Sequence, residues 1–258
     1  MFAKKSLGQN FLMHRQTAER IVEAARLPEG ATALEIGPGT GMLTKALLAK
    51  GAEVIAVEAD DSLVETLKEA FAEEIRDARL NLIRADIRNF DTNALPDGYR
   101  LIANIPYYIT GEIIRTFLTA KNKPASMTLL VQKEVAERIA RERKGSLLSL
   151  SVKAYGNPAY CFTVPRGAFN PAPNVDSAVL HIADIRSPFA SEREEKRFFE
   201  VLRAGFAHKR KRLAGNLGEV ASKEAVTQAF SAAGLDMNAR AEDVALETWK
   251  ALVRGLGN

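Results

Sequence analysis

The chain carries very little with which to build covalent or metal-centred chemistry. Cys161 is its only cysteine, which excludes an internal disulfide and any cysteine-cluster metal site. There are 3 histidines in 258 residues, and one of them, His181, falls like Cys161 inside a strand-like run where a packing role is the plainer reading. No apolar run approaches the roughly 18 residues that a membrane-spanning helix needs. Met1-Phe2-Ala3-Lys4-Lys5 has no apolar segment behind it, so no secretory signal is expected and the cytoplasm is the default location. Internal repeats and low-complexity segments are missing as well. What remains is an ordinary globular composition, 47% hydrophobic and 26% charged, long enough for one large domain or for one domain with a small appendage. The net charge of +4 is only mildly basic, so the placement of the charges says more than their sum.

The most specific short stretch is Asn104-Ile105-Pro106-Tyr107, which follows the apolar run Leu101-Ile102-Ala103. A polar side chain, a spacer, a proline and an aromatic at a strand end suit one chemical task. The exocyclic amine of adenine is a poor nucleophile, because its lone pair is delocalised into the ring. To be methylated it must be held with that lone pair aimed at the methyl group. The Asn104 side-chain carbonyl and the Ile105 backbone carbonyl can each accept one amine hydrogen. Pro106 stiffens the loop, and Tyr107 offers a ring on which a base can stack. The plainer alternative is a strand, a proline turn and a packing tyrosine.

The sequence upstream decides between them. Thr32-Ala33-Leu34-Glu35-Ile36 reads as a buried strand, Gly37-Pro38-Gly39-Thr40-Gly41 as a glycine turn, and Met42 to Lys50 as a helix. Strand, turn and helix form a nucleotide-binding unit. Met42 stands where a dinucleotide fingerprint has its third glycine. The spacing suits S-adenosylmethionine, which has no pyrophosphate to seat on the helix end. Two further strands, Glu53 to Val57 and Leu80 to Ala85, end at Glu58 and Asp86. Glu58 is placed to accept ribose hydroxyls and Asp86 to accept from an adenine amine. Successive β-α units predict an open parallel sheet with its ligands along the carboxyl edge.

Downstream, strands are expected over Ser126 to Gln132, Tyr160 to Val164 and Ser177 to Ile182, with helices over Lys133 to Arg143 and Leu147 to Ala154. The proline-rich loop Phe169 to Asp176 presents Phe169, which can pack on the second face of a base held by Tyr107 if the loop closes over the site. Arg186-Ser187-Pro188 reads as a boundary, giving residues 1–185 as a catalytic domain and 186–258 as a helical one. Within the latter, His208-Lys209-Arg210-Lys211-Arg212 is a basic run without an acid. Most such runs are solvated surface; beside a base-handling domain this one reads as phosphate-binding.

Four stretches together resemble the ribosomal RNA adenine N6,N6-dimethyltransferases, and among them the bacterial small-subunit branch. They are Lys5 to Leu12, Glu35 to Gly41, Asn104 to Thr110 and Phe169 to Val179. The segment Phe206 to Leu217, with its basic run, resembles that branch's C-terminal domain. The resemblance implies a Rossmann-like α/β methyltransferase fold, with a seven-stranded, mostly parallel sheet and a small all-helical C-terminal domain. It implies S-adenosyl-L-methionine held by Asn10, Leu12, Gly37, Glu58, Asp86 and Asn104. It gives the catalytic positions as Asn104, Tyr107 and Phe169, and implies no metal. Lys209, Arg210, Lys211 and Arg212 would bind RNA. The implied reaction is dimethylation of two adjacent adenosines in the hairpin loop near the 3′ end of small-subunit ribosomal RNA. The implied partner is an immature 30S particle, met by a monomer away from any membrane. Val244-Ala245 and Trp249 stand where the family more usually has Leu-Ser and Phe, which bears on helix packing. Two alternatives stay open here: a large-subunit methyltransferase of the macrolide-resistance type, and a non-catalytic assembly or nucleic-acid-binding factor.

Overall fold

The computed structural model describes residues 9–257. The chain forms two compact units, one made of the residues up to Ala140 with Gly156–Arg186, the other of Arg141–Tyr155 with the residues from Ser187 onward.

In the first unit the chain begins with a two-residue strand β1 (Phe11–Leu12) and helix α1 (Arg15–Ala25), then strand β2 (Thr32–Ile36) and helix α2 (Met42–Ala49). Strand β3 (Glu53–Glu58), helices α3 (Asp61–Ala70) and α4 (Ala72–Arg76), and strands β4 (Leu80–Arg84) and β5 (Arg100–Asn104) follow. Helix α5 (Thr110–Thr119), strand β6 (Ser126–Gln132) and helix α6 (Lys133–Ala140) come next. Helix α7 (Leu147–Tyr155) belongs to the second unit. Strands β7 (Asn157–Val164), β8 (Phe169–Asn170) and β9 (Ser177–Ala183) complete the first.

The seven-stranded sheet has the order β4-β3-β2-β5-β6-β9-β7. Strands β2 to β6 pair in parallel, whereas β9 runs antiparallel between β6 and β7. The central strands are covered on both faces, so they read as continuous apolar runs rather than alternating ones. Leu101, Ile102 and Ala103 of β5 and Met127, Leu129, Leu130 and Val131 of β6 have no exposed surface. Helix α1 buries Ala18, Ile21, Val22 and Ala25, the spacing that presents one face of a helix to a sheet. Chain order runs outward from β2 to β4 and then returns to β5 on the other side of β2. The strand ends at Ile36 and Asn104 therefore flank the point where the connections reverse, the usual ligand position in such sheets. Among the described residues no helix is long and apolar enough to cross a membrane.

The second unit is helical: α7, α8 (Glu192–Gly205), α9 (Leu213–Leu217), α10 (Lys223–Ala232) and α11 (Leu246–Gly255). Ser191 caps α8 by accepting from the Glu194 N–H, and the acids of its first turn complement the helix dipole. A single boundary at 185/186 is the sequence expectation; the contacts add residues 141–155 to the helical unit. The reason is apolar. The Tyr155 ring stacks on Phe199 at 5.9 Å and meets Phe189 edge-on at 5.8 Å, while its hydroxyl donates to Glu195. The helix expected to run to Arg143 stops at Ala140, where the chain crosses between units. Phe198 to Leu217 spans two helices. It breaks into α8 and α9 around the turn that carries the basic residues.

Trp249, one of the departures in the tail, is fully buried and stacks on Phe206 at 5.8 Å. It fits because residue 205 is glycine: a Cβ there would collide with the Trp249 ring and lie 2.8 Å from Leu213 Cδ1. Gly205→Ala is therefore expected to destabilise the helical unit by about 1–3 kcal/mol, and by clearly less in a Trp249→Phe background, where the ring is shorter. A double-mutant cycle of urea unfolding measures this. An equal cost in both backgrounds would assign the strain to something other than this contact.

Candidate active site

One cleft of the first unit runs along the carboxyl ends of β2, β3 and β5, and its walls include Asn10, Leu12, Gly37, Glu58, Asp86, Asn104 and Tyr107. All six expected cofactor positions and two of the three expected catalytic positions are thus brought together. Gly37, Gly39 and Gly41 all have positive φ, of 63°, 59° and 80°, a region side chains avoid. Two of them also lack room. A Cβ on Gly39 would lie 2.9 Å from the Phe11 ring, and one on Gly41 would press into the Phe71 ring, 2.8 Å from its Cζ. The glycines therefore let the turn pack directly against the Phe11 and Phe71 rings, and Gly37 and Gly39 give only backbone to the cleft wall.

Glu58 closes the next strand. Its Oε1 accepts from the Ala59 and Asp60 N–H groups, each at 2.9 Å, and its Oε2 from Gly39 N–H at 3.3 Å. Three backbone donors hold this nearly buried carboxylate, and the longer contact leaves Oε2 with acceptor capacity toward the cleft. Asp86 is differently placed. Its Oδ1 caps the short turn Ile87–Asn89 by accepting from Arg88 N–H. The Arg88 guanidinium donates to both oxygens, Nε at 3.0 and 3.1 Å and Nη2 at 2.5 Å. The Arg88 side chain and backbone N–H hold the Asp86 carboxyl below the usual range. Arg88, two residues beyond a recognised acid, also lines the cleft. Nothing in the sequence announces it, because a lone exposed arginine carries no pattern.

The catalytic loop is held from both ends. The Asn104 amide donates through Nδ2 to the Asn10 carbonyl at 3.0 Å, which turns its oxygen into the group left to accept. Ile105 is buried, Pro106 sits at φ −56°, and the Tyr107 hydroxyl shares a 2.6 Å hydrogen bond with Ser177. Burial raises the Tyr107 phenol above its usual range. It stays a neutral, half-buried ring lining the cleft.

Phe169 is elsewhere. It pairs with Leu12 in the two-stranded β1–β8 sheet and is 5% exposed, packed into the apolar core rather than lining the cleft. Phe11 and Leu12 form the other strand of that pair. Lys209, Arg210, Lys211 and Arg212 are exposed on the turn between α8 and α9. Among the described residues no group of three or more metal-ligating side chains occurs.

The cleft suits S-adenosylmethionine, a cation with a ribose diol and an adenine amine. Glu58, Asp86 and Asn104 bring acceptor oxygens to it, beside the glycine turn. Glu35 adds a feature the sequence does not announce. It is buried beneath the cleft, where Oε2 accepts from the Thr44 hydroxyl at 2.7 Å. Burial, resisted by the Thr44 hydrogen bond and reinforced by the nearby Glu58 charge, pushes its carboxyl up to about 8.

Between the usual carboxylate range and about 8 the folded chain keeps a proton on Glu35 that the unfolded chain releases. Folded stability therefore falls as pH rises through that window, by up to roughly 1.4 kcal/mol per pH unit, and levels off above it. The substitution Glu35→Gln keeps the acceptor without the titrating proton. The melting temperature of the Glu35→Gln protein minus that of the wild type should grow by several degrees from about pH 5.5 to about pH 8 without cofactor. A constant difference would contradict a buried, protonated Glu35.

Comparison with known proteins places this geometry. The profile described as Ribosomal RNA adenine dimethylase matches residues 2–256. A protein named Ribosomal RNA small subunit methyltransferase A from Dehalococcoides mccartyi is 41% identical over 256 residues, covering 97% of this chain and 87% of its own. One of the same name from Deinococcus radiodurans is 39% identical over 257 residues, covering 98% and 85%. The crystal structure of the 23S rRNA methyltransferase ErmE is similar with a TM-score of 0.77 and 26% identity, over 96% of this chain and 100% of that one. With a profile match over nearly its whole length and relatives at 39–41% identity, this chain is a member of the ribosomal RNA adenine dimethylase family.

Proposed function

We propose that this enzyme dimethylates the N6 amines of two adjacent adenosines in the hairpin loop near the 3′ end of small-subunit ribosomal RNA. It acts as a monomer in the cytoplasm, on an immature 30S particle. The methyl donor is S-adenosyl-L-methionine, which when bound supplies an electrophilic sulfonium methyl group. Asn10, Leu12, Gly37, Glu58, Asp86 and Asn104 hold it.

The observation that carries the chemistry is the Nδ2 hydrogen bond from Asn104 to the Asn10 carbonyl. With one of its two N–H groups bound to Asn10, the Asn104 amide is turned so that its oxygen points away from Asn10 as an acceptor, and the Ile105 carbonyl offers a second acceptor one residue on. Two acceptors on an amine draw its hydrogens to one side and aim its lone pair to the other. No strong base is needed, since the amine sheds a proton as it becomes cationic. Orientation, not acid–base chemistry, is the protein's contribution. Tyr107 stacks on the base, and a hairpin loop makes unstacking that base cheaper than a duplex would. Phe169 is proposed to serve the site from behind, by anchoring the β1–β8 pair next to Asn10, rather than by stacking on the second face of the base. The phosphates of the RNA are taken by Lys209, Arg210, Lys211 and Arg212, all solvent-exposed on one turn.

The small-subunit substrate is supported by the names of the relatives at 39–41% identity. The likeness to a 23S rRNA methyltransferase at 26% keeps large-subunit RNA as the reading to be tested against it. The intact cleft weighs against a purely non-catalytic assembly factor.

Labelled S-adenosylmethionine supplied to unmodified small and large subunits in parallel, with the RNA digested to nucleosides, tests the proposal. Dimethyladenosine is expected in the small-subunit RNA alone; label confined to the large subunit would overturn the substrate assignment. Asn104→Ala should lower turnover by on the order of 10²-fold or more while leaving the fold intact, and near-normal turnover would remove Asn104 from the mechanism. Replacing Lys209, Arg210, Lys211 and Arg212 together by Ala should weaken RNA binding and flatten its dependence on log salt, by somewhat less than one unit of slope per lost phosphate contact. An unchanged slope would return the turn to ordinary solvated surface.

A further inference from the structure

Tyr108 stands out on the cleft wall. It is 64% exposed, although it lies in the same short 3-10 helix, Tyr107–Ile109, as the half-buried Tyr107. Successive residues of such a turn point about 120° apart, so the two rings cannot serve one base. Tyr107 is tied inward through Ser177. Tyr108 is left with its ring in solvent at the cleft mouth, where nothing about the fold calls for a large aromatic. On the same wall is Arg88, whose side chain is half exposed. Asp86 grips its guanidinium through both carboxylate oxygens, and Tyr108 lines the same cleft. An exposed ring beside an oriented cation is the minimal equipment for holding one unstacked nucleotide, the ring for the base and the cation for the phosphate.

We propose that Tyr108 and Arg88 form a second nucleotide subsite at the mouth of the cleft, which holds the adenosine next to the one held at Asn104. This rests on the reading that two adjacent adenosines are modified. Tyr108 stacks on the neighbouring base, Arg88 contacts the phosphate between the two, and Asp86 fixes the direction of Arg88. A substrate with two targets in sequence needs such a place in one of its two steps, when the neighbouring adenosine lies on the side of the subsite. The stack tolerates the methylated base, because stacking reads a ring face and not the amine.

The test is steady-state methylation of unmodified small subunits by wild type, Tyr108→Ala, Tyr108→Phe and Arg88→Ala, with cofactor affinity measured separately by calorimetry. Tyr108→Ala should raise KM for the RNA roughly 5- to 100-fold, the range a single base–aromatic stack supplies, with cofactor Kd unchanged. Tyr108→Phe should restore it, since the ring and not the hydroxyl is used. Arg88→Ala should lower the salt slope of RNA binding by somewhat less than one. An unaltered KM in Tyr108→Ala, or a Phe variant as impaired as the Ala variant, overturns the stacking assignment. An unaltered salt slope overturns the phosphate contact. These failures leave the main activity standing if the wild type still makes dimethyladenosine in small-subunit RNA. A wild type inactive on that RNA takes down the proposed function and the subsite together.

Discussion

The site depends on one hydrogen bond, from the Asn104 amide to the carbonyl of Asn10. It joins residues 94 positions apart in the chain, the lead-in segment and the end of β5. It decides which end of the asparagine faces the ligand. Without it the amide could present donors or an acceptor to the cleft, and only the acceptor suits an amine. The lead-in is in turn held by its own bonds. Leu12 pairs with Phe169 and Phe11 with Asn170, the Met13 N–H donates to the Ala168 carbonyl at 2.9 Å, and Gln9 reaches Asp60 at 3.4 Å. Phe169 thus contributes to the site in this structure from behind, by anchoring the strand whose neighbour orients Asn104.

The carboxyl groups of the cleft divide by how they are held. Glu58 has three backbone N–H donors and Asp86 a guanidinium. Glu35 has one hydroxyl and is buried, so its proton stays near neutrality. A wall of acceptor oxygens with one buried, neutral member is suited to a cationic ligand, because it does not require Glu35 to ionise out of water. The glycine turn makes this electrostatics effective, since Gly39 brings its N–H to Glu58 and leaves no side chain to shield it.

The sheet was legible in the chain because its central strands, β5 and β6 above all, are buried on both faces and so appear as apolar runs, while the edge strand β4 carries the exposed Asn81 and Arg84. Glu58, Asp86 and Asn104 drew notice as strand ends and the glycines by their spacing, whereas Asn10 and Leu12 entered only with the family resemblance. What escaped reading was set by pairings distant in sequence. Two-residue strands such as Phe11–Leu12 and Phe169–Asn170 have no periodicity to detect. Phe169 looked presented by its prolines, yet the pair with Leu12 turns it into the core. The allocation of Leu147–Tyr155 to the helical unit rests on Tyr155 meeting Phe189 and Phe199, aromatics more than thirty positions on. Arg88 gave no signal because its meaning comes from Asp86, whose own role was inferred from a different ligand.

The basic turn shows how a surface can be ordered without being buried. His208 to Arg212 have no helix or strand to hold them, and four adjacent cations repel one another. Asn216, on α9 and 2% exposed, supplies the order from below. Its Nδ2 donates to the carbonyls of Gly205 at 2.7 Å and His208 at 3.2 Å, and the Lys211 N–H closes the turn on the His208 carbonyl at 3.0 Å. The backbone is thereby fixed while the long side chains remain free in water. That combination suits phosphate binding. A fixed backbone spares part of the entropy that ordering a loop costs on binding, while hydrated, mobile cations can follow a phosphate chain without demanding one geometry. Specificity is then left to the cleft, where the acceptors are few, rigid and aimed.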